Sequence, residues 1–266
     1  MADHKGRVLI VAGSDSGGGA GIQADIKTVT ALGGYATTAI TAITVQNTLG
    51  VSGVHSVPVG VVEAQARAVL DDIGADVIKT GMLGTAELVE KLADLLSDYP
   101  DIPLVLDPVM IATSGDVLID EAAIDGIRDR LLPRAALITP NAPEAATLTG
   151  RPVMTTQEQA DAGQKLVEMG AVAALVKGGH LSGKVITDVL VTASSTIVFE
   201  SERQDTRNTH GTGCTLASAI ATGLAGGAPL ATAIETAGQY LSEAIRRAPG
   251  LGSGHGPVNH GWTVNR

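Results

Sequence analysis

At 266 residues the chain has room for one large α/β domain or two small ones. With 44% hydrophobic but only 2% aromatic residues, a sizeable core must be built from Ala, Val, Ile and Leu, and aromatic faces are too few for base-stacking platforms. A formal net charge of −10 lacks the basic surface that a phosphate backbone demands, so nucleic acid is not an expected partner.

In chain order, short aliphatic runs at 7–13 (RVLIVAG), 35–46, 76–81, 103–109, 136–140 and 172–179 read as buried strands. Between them, 20–32, 61–72, 85–97, 120–131 and 156–169 carry helical spacing. In the third of these, Leu88, Leu92, Leu95 and Leu96 make one stripe against Glu87, Glu90, Lys91 and Asp94. After Gly179 the rhythm changes to a hairpin (VITDVLVT, TIVFES), followed by two Ala-rich helices at about 213–227 and 229–247 and an irregular Gly-rich tail. Strand–helix alternation predicts an α/β fold of three layers, a mainly parallel central sheet with helices on both faces. No linker, repeat or charge block divides residues 1–266, so a single domain is expected.

The apolar run near the start is six residues and breaks at Gly13, too short for a signal-peptide core or a membrane span. One cysteine cannot form an intrachain disulfide and fits a reducing compartment. A soluble cytoplasmic protein is the expectation, with no membrane partner.

Open α/β sheets bind ligands beyond the C-terminal strand ends, so chemistry is sought there. Gly19-Ala20-Gly21-Ile22-Gln23-Ala24 matches a relaxed dinucleotide pattern, but 37–48 holds no carboxylate for the ribose, and a nicotinamide site is rejected. Gly178 to Lys184 mimics a P-loop, yet Val185 replaces the Mg²⁺-binding hydroxyl and a strand follows; a hairpin turn is expected. Asn141 and Glu144 are spaced one helical turn apart. They read equally as a helix cap and as a place for hydrated Mg²⁺. Asp107 ends one strand, where it serves a metal, a substrate hydroxyl or a turn, and Lys177 ends another beside two glycines, suiting phosphate. Gly211, Thr212 and Gly213 free backbone N–H groups at a helix start, an anion hole in form. Cys214, in the first turn, is either a small buried hydrophobe or a thiol of lowered pKa. The His residues show no zinc spacing.

Taken together, the segments SGGGAGIQADIKT (16–28), TAITVQNTLGV (41–51), KTGMLG (79–84), LDPVM (106–110), LITPNAPEA (137–145), VKGGH (176–180) and NTHGTGCTLASA (208–219) resemble the ribokinase-like superfamily. Within it they resemble the hydroxymethylpyrimidine/phosphomethylpyrimidine kinases of thiamin biosynthesis. The resemblance implies a homodimer that uses ATP and Mg²⁺ to phosphorylate the 5-hydroxymethyl group of 4-amino-5-hydroxymethyl-2-methylpyrimidine, and commonly its monophosphate. It implies an anion hole of Gly211, Thr212, Gly213 and Cys214, with Cys214 as candidate base where related sugar kinases carry Asp. By the same resemblance Lys177 neutralises phosphate, Asn141 and Glu144 organise Mg²⁺, and Asp107 supports metal or phosphates. Asp25, Gln46, Gly81, Met82 and Val109 match positions lining the pyrimidine pocket. Ser16 and Gly17 depart from the usual Pro and Ser of that loop, which predicts a more mobile turn. Rival expectations are a pyridoxal-type kinase, which shares the fold and the thiol position, and a sensor that has lost catalysis.

Overall fold

The structure is a computed structural model describing residues 6–111, 115–116 and 118–264. Nine strands form one sheet: β1 (Arg7–Asp15), β2 (Tyr35–Asn47), β3 (Gly50–Ser56), β4 (Val77–Thr80), β5 (Leu104–Leu106), β6 (Ala135–Ile138), β7 (Ala173–Val176), β8 (Val185–Thr192) and β9 (Thr196–Glu202). Their order is β3-β2-β1-β4-β5-β6-β7-β8-β9. The inner six, β2-β1-β4-β5-β6-β7, are mutually parallel, while β3, β8 and β9 are antiparallel additions at the two edges.

The helices are α1 (Gly21–Ala31), α2 (Val59–Asp72), α3 (Ala86–Ser97), α4 (Glu121–Gly126), α5 (Ala142–Thr149), α6 (Thr156–Glu168), α7 (Thr212–Ala225) and α8 (Leu230–Arg246). Strand side chains alternate between two cores. Leu9, Val11, Ile78, Leu104 and Leu106 pack with α2 to α6, and Val8, Ile10, Val77 and Val105 pack with α1, α7 and α8. Burial on both faces explains why these strands read as continuous apolar runs.

Local chemistry sets the helix ends. The Leu88–Leu92–Leu96 stripe of α3 is buried, and Thr85 caps that helix by accepting from the Leu88 N–H at 3.3 Å. The helix expected over 120–131 is α-helical only to Gly126, then widens into a π turn at Ile127–Leu131 and a 3₁₀ turn at Leu132–Arg134. Pro133 lies in that last turn, where its missing N–H cannot extend an α-helix. β3 lies outside the predicted elements; it pairs with the C-terminal half of β2, on the edge opposite β1.

From β1 the chain moves to β2 on one side and later to β4 on the other, so the order of strand addition reverses beside β1. Such a switch point opens a crevice at the C-terminal strand ends.

Candidate active site

A cavity of about 740 Å³ occupies that crevice. Of the residues expected at the site, Gln46, Gly81, Met82, Asp107, Val109, Asn141, Glu144, Lys177, Gly211, Thr212, Gly213 and Cys214 all line it. Asp25 does not. It is fully buried on α1 and takes two bonds from the equally buried Lys79, at 2.9 and 3.0 Å, with a third from Ser218 at 2.6 Å. Asp25 therefore sits behind the cavity wall as half of an internal ion pair. A carboxylate on the inner face of α1 is stable only beside such a cation. Burial pulls the Lys79 ammonium down, but Asp25, with smaller contributions from Cys214 and Asp107, outweighs it and holds the lysine above its ordinary range.

The turn before α7 is shaped by contact. Gly211 has φ +80°, and a Cβ there would stand 1.8 Å from the Gly19 carbonyl oxygen. Only glycine lets this turn and the 16–20 loop lie back to back. A Cβ on Gly213 would stand 3.4 Å from Lys177 Nζ, which places the lysine against the first turn of α7. Lys177 and Asp107, from different strand ends, join at 3.2 Å, and Thr139 donates to the same carboxylate oxygen at 3.1 Å. Burial lowers the Lys177 pKa, yet Asp107 and Glu144 prevail and raise it above the lysine norm. The other oxygen, Asp107 Oδ2, is buried with no hydrogen-bond partner.

Asn141 and Glu144 form a reciprocal capping box. Asn141 Oδ1 accepts from the Glu144 N–H at 2.9 Å, and Glu144 Oε2 accepts from the Asn141 N–H at 2.8 Å. Both still face the cavity, so capping and ligand binding share these side chains. Burial, reinforced by Asp107 and opposed by Lys177, lifts the Glu144 carboxyl to about 7.

The lowered thiol pKa expected from the helix start is not found. Burial first, then the Asp25 and Asp107 carboxylates, push Cys214 up to about 12 against the pull of Lys79 and the Gly21 backbone. One turn of helix dipole cannot offset so much desolvation.

The 16–20 loop, expected to be more mobile, is pinned. Asp15 accepts from the N–H groups of Gly17, Gly19 and Ala20 at 2.7, 3.0 and 2.8 Å, and also pairs with His210 at 2.8 Å. Ser16 bonds the backbone of Gln46 in both directions, at 2.8 and 2.9 Å. Burial raises the Asp15 pKa, but His210 and the loop N–H groups outweigh it and hold the carboxyl below its ordinary value.

Sequence reasoning passed over Asp15, His210, Lys79 and the tail. The tail returns to the anion hole: His210 N–H donates to the Gly256 carbonyl at 3.1 Å, and His260 Nε2 lies 3.1 Å from Thr215 Oγ1. Only the histidine before Gly211 in THGTGC hinted at this; the other partners are brought in by chain return.

Backbone donors, a helix N-terminus and a fixed ammonium converge on one point of the crevice, where an anionic group can be held while it changes partners. On this sheet that defines a ribokinase-like phosphotransferase. The family model for phosphomethylpyrimidine kinase matches residues 15–259. A hydroxymethylpyrimidine/phosphomethylpyrimidine kinase of Streptomyces coelicolor is 49% identical over 97% of this chain and 95% of its own. The thiamine biosynthesis bifunctional protein ThiED of Geobacter sulfurreducens is 52% identical over 96% of this chain, which spans about half (52%) of that longer protein. Among solved structures, an ADP complex of Bacillus subtilis pyridoxal kinase superposes with TM-score 0.91 at 34% identity, covering 98% of this chain and 99% of that one. The phosphomethylpyrimidine kinase of Clostridium difficile 630 superposes with TM-score 0.81 at 38% identity, over 90% and 99%. The chain belongs to the phosphomethylpyrimidine kinase family. Among the described residues no helix is long and apolar enough to cross a membrane.

Proposed function

We propose that the chain transfers the γ-phosphoryl group of ATP to the 5-hydroxymethyl group of 4-amino-5-hydroxymethyl-2-methylpyrimidine, and then phosphorylates the monophosphate, as a cytoplasmic step of thiamin biosynthesis. The observation that carries this reading is the meeting of Lys177, Asp107 and the Gly211–Gly213 turn inside the cavity. Sheet order divides the cavity around that point. Gln46 and Met82 lie toward the β2–β4 side and suit a flat pyrimidine with a polar edge, with Val109 completing an aliphatic clamp. Toward the β8–β9 side, Ile186, Leu241 and Ile245 offer an apolar shelf for a nucleobase.

The hydroxymethyl oxygen is directed at Cys214 while the backbone N–H groups of the turn and Lys177 stabilise charge on the transferring group. With the thiol held near 12, Cys214 acts as the group that orients the hydroxyl. A loose transition state releases the hydroxyl proton late, so no strong base is required. Mg²⁺ fits the residues present: Asp107 has a buried oxygen without a partner, and Glu144 and Asn141 face the same space. Among the described residues no group of three or more His, Cys, Asp or Glu forms a metal cage. Asp107, Glu144 and Asn141 would hold Mg²⁺, and the bound ion would supply neutralisation of phosphate charge. A homodimer is the expected assembly; Ile43 and Val45 on the outer face of β2 are exposed and available for it.

A pyridoxal kinase reading draws on the 0.91 superposition, while the relatives at 44–52% identity carry the pyrimidine name or that of a thiamine-biosynthesis enzyme. Comparing kcat/KM for the pyrimidine alcohol and pyridoxal, with ³¹P NMR of each product, tests the choice. A preference for pyridoxal overturns the pyrimidine assignment, and absence of ATP turnover with every alcohol tried revives the sensor.

A further inference from the structure

The P-loop look-alike between β7 and β8 has the opposite polarity from a P-loop. A phosphate loop turns backbone N–H groups inward. Here the carbonyls of Gly179, Leu181 and Gly183 turn inward and all accept from one guanidinium, that of Arg203 just beyond β9. Arg203 Nε reaches Gly183 at 2.8 Å and Nη1 reaches Gly179 at 2.9 Å, while Nη2 takes Leu181. The Arg203 backbone N–H adds a bond to the Lys184 carbonyl at 2.8 Å, so the whole turn is wrapped on one residue. Gly179, His180 and Arg203 all line the cavity, at the end away from Gln46 and Met82. Lys177 begins the same turn, and the next residue is fixed separately, with Gly178 N–H donating to Asp188 at 2.8 Å.

We propose that Arg203 is a positioning residue for the nucleotide: its guanidinium fork sets the 179–184 turn that forms the ATP-side rim of the cavity. A turn with glycines at 178, 179 and 183 has much backbone freedom to lose, and ordering it before the nucleotide arrives removes that cost from binding. Lysine cannot take over this role. Its ammonium is a single point of charge, whereas the planar fork reaches three separated carbonyls. The proposal rests on the ATP reading above and deepens it.

The test compares Arg203→Lys and Arg203→Met in the full chain, by steady-state kinetics and by hydrogen exchange across 178–185. Both variants are expected to raise KM for ATP on the order of tenfold, with KM for the pyrimidine alcohol within twofold and Tm little changed. Exchange should speed up across the turn and stay unchanged in α7. Arg203→Lys keeping the parent KM for ATP while Arg203→Met loses it would mean a direct charge contact, and overturns the positioning role. Unchanged exchange across 178–185 overturns it too, and that measurement needs no ATP. A parent enzyme without ATP turnover is a failure of the function reading, distinct from either result.

Discussion

Asp15 and His210, 195 residues apart, meet at 2.8 Å and bind the glycine loop to the turn that opens α7. The same carboxylate holds the N–H groups of Gly17, Gly19 and Ala20. Asp15→Ala therefore strands three backbone donors as well as the imidazole, and should cost about 1–3 kcal/mol of stability for the unsatisfied groups. It should also raise KM for the alcohol. His210→Ala removes one contact and should do less on both counts. Thermal melts and KM for the two variants check this, and a wild-type Tm for Asp15→Ala contradicts it.

Gly211→Ala is the sharpest steric test of the anion hole. Its Cβ would meet the Gly19 oxygen at 1.8 Å from a φ of +80°, so turnover should fall by about 10² or more. Gly60→Ala in α2 meets nothing within 4 Å and should be neutral or stabilise by about 0.5–1 kcal/mol. Equal activities of the two variants would refute the back-to-back packing.

Cys214 is the chain's single cysteine, so alkylation reads one thiol without ambiguity. With its pKa held up to about 12, the iodoacetamide rate should climb through pH 10 with no plateau. A plateau with midpoint near neutral pH would restore a thiolate base. Cys214→Ala should lower kcat several-fold through lost orientation of the hydroxyl.

His260 gives a pH signature of stability. Burial, aided by Lys27 and His210, lowers its pKa to about 4 from the ordinary 6.5. Between those values the unfolded chain binds the proton more readily, so the His260 contribution to stability rises with pH across that window and is lost as pH falls from 6.5 toward 4, against the opposite contribution of the raised Glu144 carboxyl. The loss across the window is at most about 3 kcal/mol. The Tm difference between the parent and His260→Gln, measured from pH 4 to 7, should move in the parent's favour as pH rises, since the Glu144 contribution is common to both. Asp15 acts in a different window, since a lowered carboxyl value contributes stability that disappears only below its ordinary 3.8.

The sheet was legible because strands buried on both faces are written as unbroken aliphatic runs, as in β1, and the helices because elements such as α3 keep one apolar stripe. β3 was not, since Gly50, Ser52 and Gly53 carry no strand preference, and the segment becomes a strand only by pairing with the free edge of β2. Most of the site lay at strand ends and in one glycine turn, where local motifs suffice. Asp25 was misplaced because nothing local shows that its carboxylate turns inward to Lys79, which lies 54 residues on. The raised thiol pKa was hidden for the same reason: the burial of Cys214 comes first, then Asp25 and Asp107, and all three arise only through the fold. Arg203 and His260 act across hairpin and tail closures that no spacing rule records.

Lys177, fixed by Asp107 at the anion hole, is assigned to neutralise a phosphoryl group moving to the pyrimidine alcohol, and everything else in the proposed chemistry depends on that role. The most direct measurement follows the alcohol with ATP and Mg²⁺ by ³¹P NMR, in the parent chain and in Lys177→Met, alongside calorimetric binding of the alcohol. The expected result is a phosphomonoester on the hydroxymethyl oxygen, turnover lower by about 10²-fold in Lys177→Met, and alcohol affinity within about threefold. A variant that turns over like the parent, or that loses alcohol binding together with turnover, contradicts it.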